Sequence, residues 1–208
     1  MREVGLSVAL MAALAGCSGN SAPASAPGPP PVAPVTTSVS PVASTLDAVF
    51  STGGSAPTCA AADLRLVVQR LSEATQQESR LLQLLNAGDT TCDLEGYPSV
   101  RLSTSRGSRV AFTVGHNGDQ MVTSARPRRV ELRPDASAWV IINQVVCVNG
   151  MQGPPAMRIS VRMPGSGREL NAGIGRYPIM GQCPPGDPGR VLEVSPIEPT
   201  VADAAAQP

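Results

Sequence analysis

Lysine is missing from this chain of 208 residues, and all 16 basic side chains are arginine. Its absence removes the G-x-x-x-x-G-K-[ST] phosphate loop, Schiff-base chemistry and any Ser-Lys dyad. Aromatic residues are nearly as scarce, at 2% (Phe50, Tyr97, Phe112, Trp139 and Tyr177), which leaves few platforms for stacking bases or sugars. The formal net charge is zero, so the chain as a whole offers no broad attraction to nucleic acid, and none is expected as a partner. With one histidine and no C-x-x-C pair, a zinc site is not expected, nor is any other cofactor. No apolar run approaches the roughly 20 residues of a spanning helix.

What is present begins with an export signal. Arg2 precedes an apolar stretch from Val4 to Ala15, and small residues stand immediately before a cysteine, the layout of a cleavable secretory leader over residues 1–16. Leu14-Ala15-Gly16-Cys17 resembles the bacterial lipobox, in which the cysteine sulfur accepts a diacylglyceryl group and becomes the new N-terminus. The expectation is therefore a palmitate-type lipidated Cys17, with membrane lipid as its partner. The rest of the chain would lie on the extracytoplasmic face of the cell membrane. Glu3 departs from the usual pattern by cancelling the charge of Arg2.

Residues 17–57 are rich in Pro, Ala, Ser, Gly and Thr, with little to bury, and read as a disordered, polyproline-leaning stalk. Its Ser and Thr residues among prolines are as consistent with O-glycosylation as with a bare linker. Residues 199–208 read as a second disordered tail. The domain itself is placed at 58–198.

Of the five cysteines, Cys17 takes the lipid and Cys59, Cys92, Cys147 and Cys183 remain in an oxidising compartment. Four cysteines allow three connectivities, and sequential pairing (Cys59 with Cys92, Cys147 with Cys183) is the expected one. The intervening segment from Asp63 to Asn86 is ambiguous, because Leu64, Val67, Val68, Leu71, Glu78, Leu81, Leu82 and Leu85 include helical spacings. A continuous helix of that length would span roughly 36 Å, whereas a disulfide needs Cα atoms within about 7 Å. A hairpin of strands 63–71 and 79–86 removes the conflict and sets the cysteines beside its open ends. Further strands are expected at 99–103, 109–114, 129–132, 138–148, 157–162 and 191–196, with a tight turn at Arg106-Gly107. Short strands at this spacing point to an all-β, immunoglobulin-like β-sandwich, with 138–148 as its central strand and Trp139 packed in its core.

Cys59-Ala-Ala-Ala-Asp63-Leu64, Leu84-Leu85-Asn86, Cys92-Asp93-Leu94-Glu95-Gly96-Tyr97-Pro98 and Val130-Glu131-Leu132-Arg133-Pro134 together resemble a domain of unknown function common in actinobacterial secreted lipoproteins. Its most specific piece is C-x-L-x-G-Y-P. The resemblance spans most of Cys59 to Pro196 and implies a β-sandwich with the two disulfides above; it implies no activity. Asp135 stands where the family's L-x-P-G turn has glycine, a position that aspartate tolerates better than most residues.

Two groups are candidates for function. His116, in Gly115-His116-Asn117-Gly118-Asp119, reads as an exposed loop histidine; the sharper alternative is a general base, or half of a metal site with Asp119. Arg126, Arg128, Arg129 and Arg133 crowd one stretch with only Glu131 among them. They would form either an anion-binding edge or a solvated strand edge that resists edge pairing. The expected function is a non-enzymatic envelope module that binds a cell-wall component or an envelope protein. A small hydrolase using His116 is the alternative.

Overall fold

The computed structural model describes residues 56–71, 76–175 and 180–206. All of them belong to one compact unit. The leader, Cys17 and all of the stalk except residues 56 and 57 lie outside the described residues.

The segment that looked most helical is a hairpin. Strands β1 (Leu64–Arg70) and β2 (Gln77–Asn86) pair antiparallel from Leu64↔Asn86 to Arg70↔Arg80. The alternation that decides this lies on β2, where Leu82 and Leu84 enter the main core while Leu81 enters a second apolar cluster on the opposite face. At the open end, Cys59 bonds Cys92 across a Cα separation of 4.8 Å, and Cys147 bonds Cys183 at 5.3 Å. Both bridges are the sequential pairs.

The remaining strands are β3 (Cys92–Leu94), β4 (Ser99–Ser103), β5 (Arg109–Val110), β6 (Thr113–Gly115), β7 (Val130–Leu132), β8 (Ser137–Val145), β9 (Arg158–Arg162), β10 (Leu170–Gly173) and β11 (Val191–Val194). They form a five-stranded sheet in the order β1-β2-β8-β11-β6, a four-stranded sheet β10-β9-β4-β5, and a small β3-β7 pair. The two larger sheets make a sandwich around one core, to which Leu82, Leu84, Val140 and Ile142 contribute from the first sheet and Leu102, Val110, Ile159 and Val161 from the second. β8 is the middle strand of the first sheet, as expected of the longest apolar run. Among the described residues no helix is long and apolar enough to cross a membrane.

Four expectations need correction. The segment 109–114 is not one strand: β5 pairs with β4 in the second sheet, and β6 pairs in parallel with β11 in the first. Residues 111 and 112 carry the chain from one layer to the other, and Phe112 packs against the core at the crossing. The strand 138–148 ends at Val145, where a turn begins with Gly150 N–H donating to the Cys147 carbonyl. Residues 199–206 are not a disordered tail. Thr200 caps a short helix, α1 (Val201–Ala204), by accepting a hydrogen bond from Asp203 N–H. Ala204 and Ala206 then pair with backbone of Thr123 and Met121. The cause is the outward face of β2 and β8, where Leu81, Trp139 and Ile141 need cover; Val122, Val201 and Ala204 supply it. Trp139 is therefore half-buried in this outer cluster rather than in the sandwich interior.

β3 and β10 are strands beyond those expected from the sequence. β10 is Leu-Asn-Ala-Gly, three of whose four residues are poor strand formers.

Candidate functional site

The C-x-L-x-G-Y-P stretch and the Asn86 strand end prove to be structural fittings. Asn86 is fully buried at the end of β2. Its Nδ2 donates to the carbonyls of Thr90 (2.8 Å) and Leu132 (3.0 Å), and its Oδ1 accepts from Gly88 N–H (3.1 Å). Its backbone pairs with Asp135 and Ala136, so one amide joins β2, the loop leading to β3 and the turn after β7. Asp135 in that turn has φ 62°, the left-handed region that favours glycine. Gly96 has φ 102°, and a Cβ there would sit 3.1 Å from Pro164. Tyr97 leans on the ring of His116, with centroids 4.1 Å apart.

His116 is exposed, and its Nδ1 lies 3.2 Å from the Val194 carbonyl, which selects the tautomer with a proton on Nδ1. Asp119 does not join it. One carboxylate oxygen accepts from Met121 and Val122 N–H, and the other from Asn143 Nδ2 at 2.6 Å. Among the described residues no group of three or more metal-ligating side chains gathers anywhere.

The arginine-rich stretch does line one edge, but it is matched by acids. Arg128 bonds Glu198 (2.8 Å) and Asp203 (3.0 Å); Arg129 bonds Asp93 (2.6 Å); Arg133 lies 3.7 Å from Glu131. Arg126 stands beside the depression shared by Arg128, Glu198 and Asp203. The clustering read from sequence is real, yet Asp93, Glu198 and Asp203 are distant in sequence and cancel most of its charge.

Glu198 is almost completely buried, and burial raises its carboxyl pKa against the opposing pull of Arg128. A raised folded-state pKa contributes stability below the ordinary carboxylate range and loses it as pH rises through the raised value. Arg128 is what makes the ionised form tolerable at neutral pH. Arg128→Ala is therefore expected to lower the melting temperature most at pH 7, with the deficit shrinking as pH falls and Glu198 takes up its proton. Melting curves at pH 7 and pH 4 check this; equal deficits at both would contradict it. Asp187 shows the opposite behaviour: its carboxylate is held below the usual range by backbone N–H groups, first that of Asn149 and then that of Gly189.

A second cluster of arginines is assembled from segments distant in the sequence. On the second sheet, Val100, Leu102, Val110, Ile159, Val161 and Leu170 point inward. Their alternates therefore line the outer face. Arg109, Ser103, Arg158 and Gly173 form one cross-strand row, and Arg101, Ser160 and Asn171 the next; Ser99 and Arg162 follow. Ser160 donates to Asn171 Oδ1 at 2.6 Å, and Arg101 pairs with Glu169. The floor is a shallow depression of about 700 Å³ lined by Arg101, Ser103, Arg158, Ser160 and Asn171. The sequence signal was the repeated spacing in Arg101-x-Ser103 and Arg158-x-Ser160-x-Arg162.

These features define a small β-sandwich, stapled by two disulfides, with polar sites on its surface. The chain belongs to the family described as "Domain of unknown function (DUF4232)", which matches residues 59–197. No curated protein and no solved structure matches it.

Proposed function

We propose that the protein is a cell-envelope lipoprotein, tethered through Cys17 to the outer face of the plasma membrane, whose sandwich domain binds a partner without catalysing a reaction. Support for the tether comes from Leu14-Ala15-Gly16-Cys17 after an apolar leader. The paired cysteines accord with an oxidising compartment. The observation that carries the binding role is the outer face of the second sheet, which the described residues leave uncovered and which presents arginine, serine and asparagine in register, while the first sheet is covered by the chain's own C-terminal segment. The arginine edge at Arg126–Arg133 is a poorer docking site because Arg128 and Arg129 are already paired with acids.

Cys17→Ala tests the tether. The wild-type chain is expected in the membrane fraction and the variant in the soluble extracytoplasmic fraction. Retention of the variant in the membrane would sink the lipid-anchor reading.

A further inference from the structure

We propose that the outer face of the β10-β9-β4-β5 sheet is a binding surface for a phosphodiester-linked polymer, read through its repeated oxyanions. The proposal rests on the binding-module reading above and names both its site and the chemistry of its partner.

Charge distribution is the first support. The whole chain is formally neutral, yet residues 99–110 and 158–173, which build this sheet, contain six arginines and a single acidic residue, Glu169. Glu169 engages Arg101. Among the described residues no carboxylate pairs with Arg109, Arg158 or Arg162. Elsewhere the same chain places acids against arginines, as at Arg128 and Arg129.

Geometry is the second. Arg109 and Arg158 flank Ser103 in one row and stand two strand spacings apart, roughly 10 Å. Arg158 and Arg162 are four residues apart on one strand, roughly 13 Å. A ligand with one anionic group reaches one of these guanidinium groups. A chain carrying several reaches two or three at once, and its later contacts become effectively intramolecular. Arginine suits the task because its planar fork grips two oxygens of one phosphate.

Chemistry of the floor is the third. The outward positions of the four strands are Arg, Ser, Asn and Gly, with no aromatic ring to stack a neutral sugar. Met157 is the large apolar side chain that lines the depression, and it is half-buried. Ser103 and Ser160 offer hydroxyls and Asn171 an amide, groups that match the free hydroxyls between phosphates in a polyol or glycan chain. Arg101 is held in place by Glu169 at the edge of the depression.

The test uses the full chain purified from cells, with poly(glycerol phosphate) as probe, glycerol 3-phosphate as the monomer control and phosphatidylglycerol vesicles as the membrane control. The polymer is expected to bind at least a hundredfold more tightly than the monomer on a total phosphate basis. Raising salt from 50 to 200 mM should weaken it by about tenfold or more, as counterion release at three contacts requires. Single Ser substitutions at Arg109, Arg158 or Arg162 should each weaken polymer binding severalfold, and the triple variant should abolish it. Arg126→Ser with Arg133→Ser, on the other edge, should change nothing. Because all three target side chains are exposed, melting curves are expected to be unchanged. If the triple variant does not fold, charge reversal at Arg162 alone (R162E) gives the same readout.

Unaltered polymer affinity in the folded variants would overturn this assignment while leaving the binding-module reading in place. A monomer bound as tightly as the polymer would overturn it too, as would arginine substitutions that weaken vesicle binding and spare polymer binding. Release of free glycerol phosphate by the protein would instead overturn the non-enzymatic reading itself.

Discussion

Asn86→Asp is expected to lower the melting temperature of this protein more than any other single polar substitution described above. The change exchanges the Nδ2 donor for a second oxygen, which then faces the carbonyls of Thr90 and Leu132 at close range in a site with no exposure. Two acceptors would be left without protons, and a buried charge would be added. Asn86→Ala leaves the same carbonyls and Gly88 N–H without partners but adds no repulsion. A loss of about 3 kcal/mol for alanine, and more for aspartate, follows from unsatisfied buried groups at 1–3 kcal/mol each. For a domain of this size that is a drop of roughly 10 °C. The order of the two variants is the discriminating feature. Acidifying the buffer should narrow the gap between them, because a protonated aspartate regains one donor. A finding that aspartate melts above alanine at neutral pH would show that the amide does not act as the donor assigned to it.

Removing the disulfides should have effects of similar size, by a different route. Cys59–Cys92 closes a sequence separation of 33 residues and Cys147–Cys183 one of 36. Chain entropy values each at roughly 4 kcal/mol. Against a total stability of about 5–15 kcal/mol, loss of both would leave little margin. Reduction, or a double replacement at both pairs, is therefore expected to leave the chain largely unfolded at 37 °C, and each single pair replacement (Cys→Ala at both positions) should give an intermediate melting temperature. The second bridge has company: Gln144 donates to the carbonyls of Gly181 (2.7 Å) and Gly189 (2.6 Å), holding the same loop against the end of β8. Gln144→Ala combined with Cys147→Ala and Cys183→Ala should cost more than the separate losses added together, because each anchor limits the damage done by removing the other. Simple additivity by denaturant titration would mean that the loop is not shared between them.

How far the sequence revealed all this depends on the range of the interaction. The hairpin at 64–86 was recoverable because a covalent constraint outside the segment excludes the helix that its leucine spacing favours. β4, β8, β9 and β11 announce themselves through apolar alternation between Gly, Pro and Asn. β10 has no such signal; its residues are extended because β9 offers a ladder, from Leu170↔Val161 to Gly173↔Arg158. The ordered C-terminal segment was hidden for a related reason. Val201, Ala204 and Ala205 look unremarkable in an alanine-rich tail, and only the outward apolar face at Leu81 and Ile141 gives them something to cover.

The functional surfaces show the same contrast. Four arginines within eight residues are easy to see, but the acids that answer them come from Asp93, Glu198 and Asp203. The cationic sheet face inverts the case, since its members come from two segments about fifty residues apart and meet only through strand pairing. His116 was legible as an exposed loop residue, while its rest against Tyr97 was not.

The Cys59–Cys92 bridge also has a mechanical side. It joins the point where the chain enters the domain directly to β3, and Cys59 N–H and Asp93 N–H add backbone bonds across the same junction. Any tension arriving along the polypeptide from the N-terminal side is passed at Cys59 into β3, and so bypasses β1 and β2. Those two strands form a locked covalent loop that pulling cannot peel away, and rupture would have to begin elsewhere in the sandwich.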